Sequence, residues 1–264
     1  MNVRSRALPD LSRSRILLSN DDGIHAAGLA VLERIARSLS SDVWVVAPAT
    51  EQSGTGHSLT LHSPLRPVKL GENRYTISGT PTDCVMVAIN HLMKDHPPDL
   101  VLSGINMGAN LGEDVHYSGT VAAALEGALL GVPAIALSQV YSEGREFAWE
   151  TAERYGPELI RKVCAMGWPT NVLVNINFPE RAPEDVAGIA AASQGKHKIG
   201  DDLVMRADPR GRAYLWIGTQ RNADVSAEGT DLKAVRDGYI AVTPLSVDMT
   251  HRPTMDSLKD LFRS

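Results

Sequence analysis

Two adjacent carboxylates, Asp21 and Asp22, are the strongest chemical signal in the sequence. They stand in the segment SNDDG (19–23), directly after the short apolar run RILLSN (15–20). In open α/β sheets, ligands bind outside the carboxyl ends of the strands, so a ligand could reach both side chains there. Because their charges repel, the pair favours a shared cation or proton. The alternative is a turn followed by a helix N-cap, since Asp and Gly suit both.

Three more polar segments each follow a predicted strand. They are APATEQSGTGHS (47–58), SGINMGAN (103–110) and YSGTVAAALEG (117–127). Together they offer hydroxyl, amide and imidazole groups through Ser53, His57, Asn106, Asn110, Ser118, Gly119 and Thr120. Taken singly, each segment has an ordinary alternative, namely a flexible polar loop, an Asn/Gly turn and a Ser/Thr helix cap.

The four segments together predict one site, because the carboxyl ends of the strands can converge on one edge of a sheet. Two carboxylates, a hydroxyl and side-chain amides make an all-oxygen shell, which suits Mg²⁺ or Mn²⁺ better than zinc. The helix that begins near Ser118 offers unpaired backbone amides and a favourable dipole to an anion such as phosphate. A cation beside a phosphate-binding helix start indicates phosphoryl chemistry.

The elements that must position these groups follow a β-α-β pattern. Apolar runs at 15–20, 42–48, 99–106, 134–140 and 172–179 predict buried strands, with helical periodicity between several of them. This alternation predicts an α/β fold with a doubly wound, mostly parallel sheet and a C-terminal β-rich extension. We expect a flexible N-terminal tail (1–14), a catalytic core (15–186) and an arm (187–264), which contains a hairpin at DPRGR (208–212) and a terminal helix.

Composition excludes several other classes of protein. The net charge of −5 and the pI of about 5.9 argue against a nucleic-acid binder, which needs a basic surface. The sequence has no apolar run of the roughly 18 residues that a membrane helix needs, and no secretory signal. The two cysteines, Cys84 and Cys164, lie in apolar stretches and fit a reducing compartment, so we expect a cytoplasmic protein. The dinucleotide fingerprint, Walker A, HExxH and GxSxG motifs are missing.

The order of the motifs resembles one known family. The segments SNDDG, APxxxxSGxGHS, GTPTDCV, SGINxGxN, YSGTVAAAxEG and NINFP are similar to those of the stationary-phase survival protein SurE family, which are metal-dependent 5′/3′-nucleotidases. The resemblance runs from about Ile16 to about Pro244. It implies a Rossmann-like core and one divalent metal, Mg²⁺ or Mn²⁺, whose ligands would be Asp21, Asp22, Ser53 and Asn106.

The resemblance also implies an activity and an assembly. Members release phosphate from nucleoside 5′- and 3′-monophosphates, and some cut short polyphosphate. They form homodimers or homotetramers in which C-terminal strands are exchanged between subunits, which would suit the extended segments beyond residue 187. A nucleotide-binding regulator without turnover is the main alternative, and a scaffold built on the arm is a third.

We expect phosphomonoester hydrolysis, in which the cation neutralises charge and lowers the pKa of a water molecule. Asp21 or Asp22 is the expected general base, and direct attack by an Asp is the weaker alternative. We expect Ser118, Gly119 and Thr120 to hold phosphate oxygens.

The remaining expectations concern the other polar groups. Asn106 and Asn110 would orient the phosphate. His57 is the expected acid for the leaving ribose oxygen, and His116 is the second candidate. Thr80 and Asp83 either border the nucleoside pocket or only cap a helix.

Overall fold

The computed structural model describes residues 5–8, 10–141, 148–199, 203–217, 221–223 and 227–263. The strands are β1 (Ser5–Arg6), β2 (Ile16–Ser19), β3 (Val43–Pro48), β4 (Pro67–Gly71), β5 (Arg74–Ile77), β6 (Leu100–Met107), β7 (Ala134–Gln139), β8 (Trp168–Pro169), β9 (Val172–Phe178), β10 (Gly188–Ala191), β11 (His197–Ile199), β12 (Leu203–Ala207), β13 (Ala213–Ile217), β14 (Arg221–Ala223) and β15 (Tyr239–Ser246).

The helices cover both faces of a sheet. They are α1 (Ala27–Leu39), α2 (Pro81–Val87), α3 (Gly119–Leu129), α4 (Glu150–Met166), α5 (Asp231–Arg236) and α6 (Arg252–Leu261). Shorter helical turns span Ala88–Leu92, Gly112–His116 and Pro183–Asp185. Within the described ranges, no helix combines the length and the apolar character that crossing a membrane requires.

A nine-stranded sheet with the order β10-β15-β9-β7-β6-β2-β3-β5-β4 forms the centre of the fold. The six strands from β9 to β5 are parallel, whereas β15 and β4 pair antiparallel with β9 and β5. The chain adds β3 and β5 on one side of β2 and then crosses to add β6, β7 and β9 on the other. This confirms the predicted doubly wound α/β fold, and its switch point lies between β2 and β6, where such sheets bind ligands.

The central strands are buried on both faces because helices cover each side. In β2, Ile16 and Leu18 face a cluster formed with α1 and α4, whereas Leu17 faces a second cluster formed with α2 and α3. All three side chains are fully buried. The carboxyl end of β2, which Asp21 and Asp22 follow, is therefore held in place by packing on both faces of the sheet.

The first residues of the chain differ from the expected flexible tail. Residues 1–4 and 9 lie outside the described residues, but β1 pairs with β8, and the Leu8 N–H donates to the Cys164 carbonyl at 2.8 Å. Leu11 is buried in the α1–α4 cluster. The apolar side chains of Leu8 and Leu11 explain this docking, because the transfer of apolar surface out of water stabilises the folded state.

The C-terminal third divides between the sheet and an extension. β10 and β15 belong to the central sheet, so that sheet crosses the predicted boundary at residues 186 and 187. β12 and β13 form the hairpin predicted at DPRGR, and they pair outside the central sheet. Residues 200–202, 218–220, 224–226 and 264 of the predicted arm lie outside the described residues.

We expect Gly28→Ala to destabilise the fold, although alanine normally favours a helix. A Cβ at Gly28 would lie 1.9 Å from the Ile105 carbonyl oxygen and 2.7 Å from the Trp149 ring, so α1 would have to move away from β6. Such overpacking usually reduces the free energy of unfolding by about 1–3 kcal/mol. Chemical denaturation would measure the change.

The matched control is Ala30→Gly, at an exposed position of the same helix. At this exposed position only helix propensity changes, so glycine should reduce the free energy of unfolding by up to about 1 kcal/mol. A Gly28→Ala variant more stable than the parent protein would contradict the close approach of α1 to β6.

Candidate active site

The predicted metal ligands line one cavity of about 260 Å³ at the carboxyl edge of the sheet. Asp21 and Asp22 follow β2, Ser53 follows β3, and Asn106 lies near the end of β6. Asn110 and Ser118, both predicted to contact phosphate, line the same cavity. A larger cavity of about 620 Å³ lies beyond β7 and β9, but none of these side chains lines it. We therefore place the candidate site in the smaller cavity.

Asp21 is held by the first turn of α3. The Thr120 hydroxyl donates a hydrogen bond to the Asp21 carboxylate, and both side chains are buried. A Cβ at Gly119 would lie 2.6 Å from the Asp21 Cβ, so only glycine allows this approach. Neither Gly119 nor Thr120 lines the cavity. Their expected contact with phosphate stays a prediction, and the Thr120 hydroxyl is engaged by Asp21.

Burial governs the charge state of the two carboxyl groups. Burial raises the pKa of Asp21, and hydrogen bonds from Thr120 oppose that shift. Burial, followed by the charge of Asp21, raises the pKa of Asp22 to about 6. Each group is thus destabilised in its charged form, and a bound cation would remove much of this penalty.

The loop after β3 carries Ser53 and a carboxylate that sequence reasoning missed. The Ser53 hydroxyl donates to Glu51 Oε1 at 2.9 Å, and Glu51 also lines the cavity. The Gln52 N–H donates to the Asp21 carbonyl at 2.8 Å, which ties this loop to the loop after β2. The position of Glu51, two residues before Ser53, was the available signal.

A bulge in β6 precedes Asn106. The pairing with β7 shifts register between Ser103 and Asn106, and Gly104 has a φ of 129°. Bulges often occur beside active sites, where they redirect a side chain. The Asn106 side-chain nitrogen, Nδ2, donates to the Gly108 carbonyl at 3.0 Å. The Asn106 side-chain oxygen is therefore the atom available to a cation.

Asn110 is fixed by the segment NINFP, to which the sequence analysis gave no role. The Asn110 N–H donates to Asn177 Oδ1 at 2.9 Å, and its carbonyl accepts from Asn175 and Asn177 at 2.8 and 3.0 Å. Its side-chain nitrogen donates to the Ser138 hydroxyl at 2.8 Å. Strand β9 thus holds the backbone of Asn110, and β7 holds its side chain, at one wall of the cavity.

Asp114 is a further carboxylate that the sequence analysis did not identify. It lies on the 3₁₀ turn Gly112–His116, is only 4% exposed and lines the cavity with Tyr117. Its carbonyl accepts from the N–H groups of Tyr117 and Ser118 at 3.0 and 3.1 Å. The polar stretch GEDVHY (112–117) between two recognised motifs was the only sequence signal.

Neither predicted acid lies at the cavity. His57 Nε2 is 3.0 Å from Glu126 Oε2, about two turns along α3 from Ser118. His116 is exposed, and its ring lies 3.5 Å from the Gln194 side-chain nitrogen. The role of His57 as general acid therefore stays a prediction, since its ring contacts Glu126 and does not line the cavity.

Thr80 and Asp83 form a capping box at the start of α2. Each side chain accepts a hydrogen bond from the backbone N–H of the other residue. Asp83 also accepts from the Thr60 hydroxyl at 2.6 Å. Of the two alternatives, the structure therefore shows the helix cap.

The donor set of the cavity fits a hard divalent cation. It combines one buried and one partly buried carboxylate with a hydroxyl and a carboxamide oxygen, as Mg²⁺ and Mn²⁺ prefer. In the described part of the chain, no three His, Cys, Asp or Glu side chains cluster closely enough to hold a metal ion by themselves. Ser53 and Asn106 would therefore have to complete the shell.

We expect Asp22→Asn to stabilise the metal-free protein near pH 7 but not near pH 4. Because folding raises the pKa of Asp22 from the ordinary value of 3.8 to about 6, the folded state binds this proton more tightly than the unfolded state. The stability that the bound proton contributes is fully present below pH 3.8 and is lost as the pH rises through 6. The gain near pH 7 should be about 1–2 kcal/mol, because Asp22 is partly exposed. Thermal unfolding with a chelator would measure it.

The control is Asp256→Asn on exposed helix α6, where no such gain should appear. Equal stability of Asp22→Asn and the parent protein at pH 7 would show that the charge of Asp22 is not destabilising.

Comparison with known proteins shows the family to which the chain belongs. The family model described as Survival protein SurE matches residues 16–201. The chain is 59% identical to a protein from Rhodospirillum rubrum named 5′-nucleotidase SurE, over 97% of this chain and 98% of that protein. It is 58% identical to a protein of the same name from Paramagnetospirillum magneticum, over 96% and 97%.

A solved structure agrees with these relatives. The crystal structure of the SurE protein from Aquifex aeolicus matches with a TM-score of 0.82 and 40% identity, over 94% of this chain and 99% of that one. The relatives and the solved structure agree over nearly the whole length, and the family model covers residues 16–201. The chain therefore belongs to the SurE family.

Proposed function

We propose that this protein is a metal-dependent nucleotidase that hydrolyses nucleoside 5′-monophosphates, and also 3′-monophosphates, to a nucleoside and phosphate. The observation that carries the proposal is the cavity in which Asp21 and Asp22 meet Ser53, Asn106 and the start of α3. No Lys or Arg is among the described residues that line this cavity. A phosphate would therefore need a cation there. The names of the relatives from R. rubrum and P. magneticum support the same activity.

Each group would have a defined task. Asp21, Asp22, Ser53 and Asn106 would hold one Mg²⁺ or Mn²⁺ ion. When bound, such an ion supplies charge neutralisation and lowers the pKa of water. Ser118 caps α3 through a 3.0 Å bond from the Val121 N–H, and its own hydroxyl proton can be donated to a phosphate oxygen.

We assign the general base to Asp22 rather than Asp21. One oxygen of Asp21 is engaged by Thr120, whereas Asp22 is partly exposed to the cavity. Asn110, with its nitrogen bound to Ser138, would orient the phosphate through its side-chain oxygen. His57 would act by anchoring the loop that carries Ser53, since its ring contacts Glu126.

We further propose a cytoplasmic homodimer or homotetramer. Both cysteines are free and buried, which fits a reducing compartment. The β12–β13 hairpin exposes Leu203, Met205, Leu215, Trp216 and Ile217 at 58–70%. Such a patch favours contact with another copy of the chain. Short polyphosphate, an open chain of phosphates, is a further candidate substrate.

We expect Asp21→Asn to reduce phosphate release by more than about 100-fold at saturating Mn²⁺, because even partners of metal ligands usually contribute 10–100-fold. The assay would compare a panel of 5′- and 3′-monophosphates with and without chelator. The matched control, Glu158→Gln at an exposed position of α4, should retain full activity. Nucleotide binding without phosphate release by the parent protein would favour the regulatory alternative.

Deleting residues 203–216 should give smaller species, because the deletion removes nearly all of the exposed apolar hairpin. Light scattering would measure the mass, and Mn²⁺ binding should remain measurable because Asp21 and Asp22 lie on a different part of the chain. Arg210→Ala at the exposed hairpin turn should leave the mass unchanged. An unchanged mass after the deletion would contradict assembly through this hairpin.

A further inference from the structure

Both backbone polar groups of Gly112 form hydrogen bonds with the two chain segments that flank residues 196–228, which we call the C-terminal extension. The Gly112 N–H donates to Asp231 Oδ2 at 2.9 Å, and its carbonyl accepts from the Gln194 side chain at 3.0 Å. Gln194 precedes β11, and Asp231 follows β14. We call residues 193–195 and 229–231 the arm base.

The arm base is itself tied together. The Ser193 N–H donates to the Gly229 carbonyl, and the Asp231 N–H donates to the Ser193 carbonyl, both at 2.9 Å. The two flanks of the extension therefore contact Gly112 as one unit.

Asp231 is the centre of this arrangement. Its carboxylate is fully buried and also accepts from the N–H groups of Gly195 and Leu232, each at 2.8 Å. A Cβ at Gly195 would lie 3.0 Å from Asp231 Oδ1, so glycine allows the segments to meet. Because hydrogen bonds to a buried charge are strong, the carboxylate fixes three backbone amides at once.

Gly112 begins the turn that leads to the candidate phosphate end of the cavity. The turn Gly112–His116 carries Asp114, whose carbonyl accepts from the N–H of Ser118, the N-cap of α3. A shift at Gly112 would therefore reach Asp114 and Ser118 within one short turn. Asp21, Asp22 and Ser53 follow β2 and β3, Asn106 lies near the end of β6, and the turn carries none of them.

We propose that Asp231 and Gln194 are positioning residues that hold the phosphate end of the cavity through Gly112. The arm base and the cavity are then coupled. The position of the extension therefore affects the binding and hydrolysis of the phosphate ester but not metal binding. This inference rests on the proposed nucleotidase function for its kinetic readout.

The test is Asp231→Asn in the full chain, which preserves shape but replaces the acceptor of the Gly112 N–H with a donor. At saturating Mn²⁺, kcat/KM should fall by at least about 10-fold, as misplacement of reacting groups typically produces. The Mn²⁺ dissociation constant, measured by calorimetry, should stay within about 2-fold. Asp237→Asn, at the exposed end of α5, should change neither quantity.

Hydrogen exchange gives a readout that does not depend on activity. In Asp231→Asn, amides of residues 112–118 should exchange faster, whereas those of residues 20–24 should not. If the parent protein released no phosphate from any nucleotide, the proposed function would fail while this measurement still tested the coupling.

Unchanged kcat/KM in a folded Asp231→Asn variant, parallel loss of Mn²⁺ affinity, or unchanged exchange at 112–118 would each overturn the proposal. If Asp231→Asn did not fold, Gln194→Leu would take its place, because it removes the hydrogen bond from the exposed Gln194 side chain to the Gly112 carbonyl, together with the 3.5 Å contact with His116, and leaves Asp231 intact. It should lower kcat/KM by about 3-fold with unaltered Mn²⁺ affinity, and no change would again overturn the proposal.

Discussion

The burial of two neighbouring carboxylates after β2, nearly complete for Asp21 and partial for Asp22, is the constraint on which the rest of the site depends. Asp21 and Asp22 are adjacent in the chain, and burial raises the pKa of both. Folding brings them out of water because β2 lies in the middle of the sheet with helices on both faces. The fold therefore opposes the charge of this pair, and this is the physical basis for expecting a cation beside it.

The neighbouring elements stabilise the buried Asp21 carboxylate. The start of α3 approaches Asp21 at Gly119, and the Thr120 hydroxyl binds the carboxylate. The amides of a helix start also favour negative charge. The loop after β3 closes the other side through the Gln52 N–H. The oxygen atoms proposed as metal ligands thus meet from three strand ends without any one loop having to be long.

Much of the sheet and the identity of the site loops could be predicted from sequence, because buried parallel strands are continuous apolar runs and polar motifs follow them. Individual side-chain partners could not. Thr120 and Ser118 are two residues apart on one helix start, yet one faces Asp21 and the other faces the cavity. That choice depends on how α3 packs against β2, which local sequence does not encode.

The same limit applies to parts of the chain that pair over long distances. β10 and β15 look like isolated extended segments in the sequence, and only their neighbours show that they complete the central sheet. Asn175 and Asn177 look like ordinary strand residues, but their side chains hold the backbone of Asn110. Leu11 anchors the beginning of the chain with little periodicity to reveal it.

The antiparallel pairing of β15 with β9 has a consequence for synthesis of the protein on the ribosome. The backbone groups of β9 that face β15 have no partner until Tyr239–Ser246 has been translated, well after Val172–Phe178. At a translation rate of roughly 5–20 residues per second, this sheet edge stays open on the order of seconds. An open edge of this kind pairs readily with other chains, so the nascent polypeptide is vulnerable to misassembly during this interval.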